Sequence, residues 1–151
     1  MIGRLSLIKA RKAVQIMREI LFRGKLKTTG EWAFGNLNIT IKGTNIITPD
    51  DTPIGKYGAV IPGTVGQYTG LTDKNGTKIF EGDILRAEIN GGPYDKFVFP
   101  VGVIAFENGC FGNKDRKRFT PLSSYASRVS FEVIGNIHDN SELLKGDCDN
   151  A

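Results

Sequence analysis

Apolar residues recur at every second position over several short stretches of the chain, and clusters of Gly, Pro, Asn and Asp separate those stretches. Period-two alternation with this punctuation predicts short β-strands. REILFRGKLKTTGEWAFGNLNITI (18–41) reads as a β-hairpin turning at KTTG, and TNIITP as a short third strand stopped by Pro49. Trp32 and Phe34 fall on one face of the returning strand, because strand side chains alternate. They are expected to be core. PDDTPIGKYGAVIPG (49–63) reads as a loop, with Asp50 and Asp51 in a solvated turn.

The stretch VGQYTGLTDKNGTKIFEGDIL (65–85) is the densest in turn residues. Asn75-Gly76 is a strong signal for a turn with positive φ, and strands are expected on either side of it. EGD then punctuates the chain before ILRAEI. An acid–Gly–Asp step suits a corner, where Gly permits the bend and Asp accepts hydrogen bonds from freed N–H groups. NGGPYD (90–95) is a further turn, and KFVFPVGVIAFENGCFG (96–112) reads as a hairpin-like pair of strands. NKDRKRFTPLSSYASR (113–128) reads as a loop and VSFEVIGNIHDN (129–140) as a last strand. Ser141 is expected to N-cap a short helical turn, SELL.

The expected fold is mainly β: a small antiparallel barrel or two packed sheets, preceded by a short N-terminal arm and ending in a short helical turn. The expected division is an extension at 1–16, a β domain at 17–144 and a disordered tail at 145–151. At 151 residues the chain is long enough to bury a core without staples. It is 40% hydrophobic and 24% charged, an ordinary globular composition. It contains no apolar run near the ~20 residues that a membrane-spanning helix needs. Cys110 and Cys148 stand far apart without metal-ligand spacing, and they are expected to be free thiols in a reducing cytoplasm.

The net charge of +4 at first suggests nucleic acid. Its distribution weakens that suggestion. Arg4, Lys9, Arg11 and Lys12 lie in residues 1–16 with no acid, and the rest of the chain balances sixteen Lys and Arg against sixteen Asp and Glu. The basic character therefore belongs to the arm MIGRLSLIKARKAVQI, which could form a short helix. A second start could follow at Met17, which would make residues 1–16 an upstream extension. A basic arm touching membrane or nucleic acid is the sharper alternative.

Candidate chemistry is sparse. Asp73, Glu81 and Asp83 are the carboxylates to test as a hydrolase site, but DKNGTKIFEGD lacks the regular ligand series of a Ca²⁺ loop. His138 is the single histidine, and no paired cysteines accompany it, so no zinc or other metal site is expected. No phosphate-binding or dinucleotide fingerprint and no nucleophile elbow occurs, so neither a cofactor nor a catalytic residue is assigned. The strongest nucleic-acid candidate is the loop with Lys114, Arg116, Lys117, Arg118 and Phe119, where clustered cations beside aromatics suit phosphate contacts and stacking. A solvated loop or an acidic protein partner would use the same residues.

Three blocks, MREILFRGK…GEWAFG (17–35), TVGQYTGLTDKNGTKIFEGDIL (64–85) and FEVIGNIHDNSELL (131–144), resemble the YopX-like proteins of phages and prophages. The resemblance implies a mainly β phage protein and no particular reaction. Gly66, Gln67, Tyr68, Thr69, Gly70, Asp73, Gly76, Glu81, Gly82 and Asp83 match the family pattern. The family's last block commonly carries an aromatic at the position of His138, which argues against a catalytic histidine. Most motif positions have a structural reason; Gln67 and Tyr68 have less of one and become the candidates for partner binding. The expectation is a non-enzymatic accessory protein that binds a host or phage protein. Nucleic acid is the runner-up and self-association through exposed strand edges is left open.

Overall fold

The structure is a computed structural model that describes residues 17–52, 54–90, 96–98, 100–125 and 129–145. The N-terminal arm at 1–16, the turn at 91–95, Cys148 and most of the expected tail lie outside the described residues.

Twelve strands follow one another: β1 (Phe22–Lys25), β2 (Trp32–Thr40), β3 (Gly43–Thr48), β4 (Lys56–Ala59), β5 (Gly66–Thr72), β6 (Lys78–Phe80), β7 (Asp83–Asn90), β8 (Lys96–Val98), β9 (Gly102–Glu107), β10 (Cys110–Lys114), β11 (Phe119–Pro121) and β12 (Val129–Asn136). They form two antiparallel sheets. One runs β4-β3-β2-β1-β5-β6 and the other β11-β10-β9-β7-β12, with β8 also paired to β7. Among the described residues neither order closes on itself. A single bridge between Leu26 and Val60 brings the chain after β4 back to the end of β1.

The hairpins follow the turn chemistry. β1 and β2 pair from Phe22–Gly35 to Lys25–Trp32, as the first stretch predicts. Gly76 closes the turn after Asn75 at φ +81°, a conformation glycine adopts without a Cβ clash. The structure corrects four expectations. The segment 49–63 contains β4, whose register against β3 runs from Asn45–Ala59 to Thr48–Lys56. The segment 113–128 contains β11, paired to β10. The segment 96–112 holds three strands rather than two: β8 pairs with β7, and β9 begins at Gly102 and makes the hairpin with β10. The helical turn Ser141–Leu144 exists, but its cap position is Asn140 and no side chain caps it.

Ile79, Leu85, Ile104 and Leu122 form a buried cluster, with Phe111, Phe131 and Val133 packed against them. Ile79 comes from the first sheet, so β6 joins the two. In the first sheet the close approach of β2 and β3 requires glycine at 35. A Cβ there would sit 2.0 Å from the Ile47 carbonyl oxygen. Gly35→Ala is expected to cost about 3 kcal/mol, the upper range for overpacking. Urea unfolding would show this against Gly63→Ala, where an added Cβ meets nothing within 4 Å. Equal costs at the two sites would refute the packing argument.

Candidate functional site

The two sheets meet at an arginine. Arg23 lies mid-strand in β1 opposite Phe34, and strand alternation turns its side chain toward β6 rather than solvent. Its guanidinium lies 4.6 Å from the Trp32 ring and 4.9 Å from the Phe80 ring. Nη2 forms a 2.7 Å ion pair with Asp83 Oδ1 and donates to the Glu81 carbonyl at 3.1 Å. Asp83 is 2% exposed. Its other oxygen accepts the Phe80 N–H at 2.7 Å. Burial pushes the Asp83 carboxyl above its ordinary range; Arg23 and the Phe80 amide offset only part of that.

Beside this pair lies a groove of about 420 Å³, walled by Leu21, Phe34, Phe80 and Val133, with Arg23, Asp83, Thr77 and Lys78 along it. Phe34 meets Phe80 edge-on at 5.7 Å between centroids, yet it is 44% exposed. Tyr68 supports Phe80 at 5.6 Å, and Lys78 Nζ stands 5.1 Å from the Tyr68 ring. Trp32 and Phe34 thus share a face as expected. They do not form core, however: Trp32 is half-buried over Arg23 and Phe34 is a groove wall.

The carboxylates picked out by sequence sit close to the junction, and each is occupied by the fold. Asp73 Oδ1 accepts the N–H groups of Asn75 and Thr77 at 2.8 and 2.9 Å, and Oδ2 accepts Val133 N–H at 3.0 Å. Burial alone would raise its carboxyl, but the amides of Val133, Thr77 and Asn75 outweigh it and hold the group below the ordinary range. Glu81 Oε2 accepts Gln67 N–H at 2.8 Å. The Asp83 acceptor role toward Phe80 N–H matches the corner chemistry read from EGD. Gly82 completes the corner at φ +82°, donating to the Ile104 carbonyl and accepting from Ile137 N–H. Among the described residues no group of three or more His, Cys, Asp or Glu could hold a metal ion.

Of the partner-binding candidates, Tyr68 is only 7% exposed and Gln67 is half-buried, its backbone bonded to Glu81 at both N and O. Tyr68 packs behind the groove wall against Phe80, and Gln67 is tied to Glu81.

His138 lies in the turn after β12, with its ring 5.8 Å from that of Trp32. Next to it, Asp139 pairs with Lys25 and accepts the Trp32 indole N–H at 3.0 Å and Asn136 Nδ2 at 3.1 Å. The Lys25 contact first, then Trp32 and Asn136, lower the Asp139 pKa to about 2. Cys110 is a free, half-buried thiol whose Sγ is 3.5 Å from the Glu107 carbonyl. It shares no contact with His138 in this arrangement.

The basic loop lies on the second sheet. Lys114, Arg116, Lys117 and Arg118 are exposed, while Asp115 accepts the backbone N–H groups of Lys117 and Arg118 and shapes the tip. Lys114 pairs with Glu107, and Arg116 Nη2 donates to the Leu144 carbonyl at 3.4 Å. Phe119 is half-buried over Gly112. This loop and the Arg23 junction are separate sites on different sheets.

Sequence reasoning missed Arg23 itself. The available signal was an arginine inside the apolar strand segment Leu21-Phe22-Arg23, which reads as solvated until Asp83 arrives to pair with it.

Comparison with known proteins settles the family. The YopX protein family matches residues 21–145, most of the chain and all three sequence blocks apart from the first residues of one. The chain belongs to the YopX family. No curated protein matches it. Among solved structures it is similar to protein EF1440 from Enterococcus faecalis, at 29% identity and TM-score 0.57 over 85% of this chain and 99% of that one. The YopX motif block 64–85 thus coincides with the junction between the sheets. Among the described residues no helix is long and apolar enough to cross a membrane.

Proposed function

We propose that this YopX protein is a non-enzymatic phage or prophage accessory protein that binds a host or phage protein through the groove beside Arg23. The observation that carries this reading is Phe34, a large aromatic left 44% exposed along an apolar groove of about 420 Å³. Exposed aromatics at the edge of a preformed groove are the usual anchors of protein interfaces. The carboxylates that a hydrolase would need are committed to Arg23 and to backbone amides instead. Gln67 and Tyr68 enter the reading as residues that hold the groove's far wall.

The second reading, nucleic-acid binding through Lys114, Arg116, Lys117, Arg118 and Phe119, is favoured by one observation: Asp115 shapes the loop tip through the backbone of Lys117 and Arg118, and all four cations there are exposed, although Lys114 pairs with Glu107 and Arg116 donates to the Leu144 carbonyl. One experiment separates the two. The chain and its Phe34→Ala variant are used to capture partners from bacterial lysate, with and without nuclease, and the affinity of any captured protein is then measured. A protein that survives nuclease and binds the variant about 30-fold more weakly supports the groove, since a hot-spot aromatic contributes about 2 kcal/mol. A protein indifferent to Phe34→Ala would refute the groove. Capture that disappears with nuclease and with rising salt would move the function to the basic loop.

A further inference from the structure

The core-facing side of the second sheet changes character at one end. Side chains directly opposite each other in antiparallel strands share a face. Asn113 in β10 stands opposite Ile104, a core residue, and opposite Thr120 in β11. Alternation therefore places an amide and a hydroxyl on the face that elsewhere carries Leu85, Ile104 and Phe131. Asn113 is only 4% exposed. Its amide lies over Gly102, where an added Cβ would stand 2.2 Å from Oδ1. Nδ2 is 3.5 Å from Tyr125 Oη, and Oδ1 has no partner among the described residues. A polar side chain kept on a core face with an acceptor left over costs stability, and such breaches of the local pattern concentrate at functional sites.

Asn113 and Thr120 line a cavity of about 260 Å³. Ser124 and Tyr125 add hydroxyl groups to its wall, and Ile89, Val129 and Pro100 give it an apolar side. Ile89 and Val129 are directly opposed across β7 and β12, two positions beyond Ala87 and Phe131, so the cavity continues the core face. Arg118 also lines it; this residue is exposed, and among the described residues its side chain has no acceptor. Asp115 is the single acid in the described wall, and its Oδ1 is taken by the Lys117 and Arg118 N–H groups. An apolar wall with a few convergent polar groups is the usual make-up of a small-molecule pocket. The volume exceeds the ~150 Å³ that encloses benzene, so a heterocyclic ring fits. An amide beside hydroxyls matches the donor and acceptor edge of a nucleobase, apolar side chains suit its ring faces, and a guanidinium suits the attached phosphate.

We propose that this end of the second sheet is a nucleotide pocket, in which Asn113, Thr120 and Tyr125 hold the edge of one base and Arg118 holds its phosphate. Two sources carry that chemistry, a free nucleotide and an unpaired base of a single strand. The pocket shares Arg118 with the basic-loop reading and nothing with the Phe34 groove, so its failure leaves the groove standing.

The full chain, isotope-labelled for NMR, is titrated with the common ribonucleoside monophosphates, with their nucleosides and with mixed-sequence single-stranded oligonucleotides. The expected result is that at least one monophosphate shifts the amide signals of Asn113, Thr120 and Tyr125. Arg118→Ala weakens that monophosphate about tenfold, the effect of one charge-assisted contact, and leaves its nucleoside unchanged. Thr120→Val weakens both about fivefold. Phe34→Ala and Lys42→Ala, on the first sheet, change neither. An oligonucleotide that binds more than about tenfold tighter than the monophosphate, with affinity falling steeply in salt, makes a single strand the source. Affinities within that factor make the source a free nucleotide, and either result supports the pocket. Absence of shifts at these amides with every nucleotide and oligonucleotide would overturn it, as would a monophosphate indifferent to Arg118→Ala or to Thr120→Val. Ribose phosphate competing as well as the nucleotide would also overturn it, because the base would then not be held.

Discussion

Asp83→Ala is expected to cost about 3–5 kcal/mol, the range for removing one partner of a buried ion pair. The reason is what remains. Arg23 would keep its charge between the Trp32 and Phe80 rings, 7% exposed, with the Glu81 carbonyl as its remaining polar contact. The Phe80 N–H would lose its acceptor as well. Against a total stability of about 5–15 kcal/mol for an ordinary domain, such a loss removes a large part of the margin. Urea unfolding with an unchanged slope and a much lower midpoint is the expected reading. A cost under about 1 kcal/mol would show that water reaches Arg23 and that the pair is not sealed.

The double variant Arg23→Met, Asp83→Leu separates the worth of the pair from the cost of breaking it. Replacing both charges with apolar groups of similar bulk is expected to recover most of the stability lost in Asp83→Ala, because neither side is then left uncompensated. The purpose of the pair would then lie in specificity. It fixes β1 against the corner before β7, so that Phe34 and Phe80 face each other across the groove. A double variant that folds well but loses the Phe34-dependent capture would be consistent with that role.

Much of this arrangement was legible in the chain before any coordinates. Asn75-Gly76 and Glu81-Gly82-Asp83 carry their own geometry, so the turn, the corner and the acceptor roles of Asp73 and Asp83 could be read locally. The first hairpin and the last strand follow from alternation. What escaped reading depends on partners remote in sequence. β4 is four residues long inside a Pro- and Gly-rich segment, and β3 supplies the register that makes it a strand. β11 is three residues in a polar loop and exists through β10. Trp32 and Phe34 have the composition of core residues; their place on a groove is decided by Arg23, which takes the space beneath Trp32, and by Phe80 arriving from another sheet strand. No local pattern predicts a buried arginine, since its burial is tolerable only once Asp83 stands 2.7 Å away.

Asp73→Asn is expected to cost about 2–3 kcal/mol near neutral pH and far less in acid, and this pH dependence distinguishes it from a packing defect. Asp73 accepts two amides of its own turn and then reaches Val133 in β12, so one carboxylate holds the β5–β6 hairpin to the other sheet; the Lys74 N–H bond to the Phe131 carbonyl lies alongside. An amide side chain offers one acceptor oxygen where the carboxylate has two, so at least one of these N–H groups loses its bond. The folded carboxyl has its pKa below the ordinary aspartate value of 3.8, so the stabilisation is complete above that value and is lost as pH falls through the folded pKa. Asp139, lowered to about 2, works in the same sense, whereas Asp83, raised by burial, works against it. The acid limb of the wild-type stability curve should therefore be steeper than that of Asp73→Asn, and the two curves should converge as pH falls through the folded pKa of Asp73. Parallel limbs would mean that the Asp73 charge is irrelevant and that the turn holds the two sheets by shape alone.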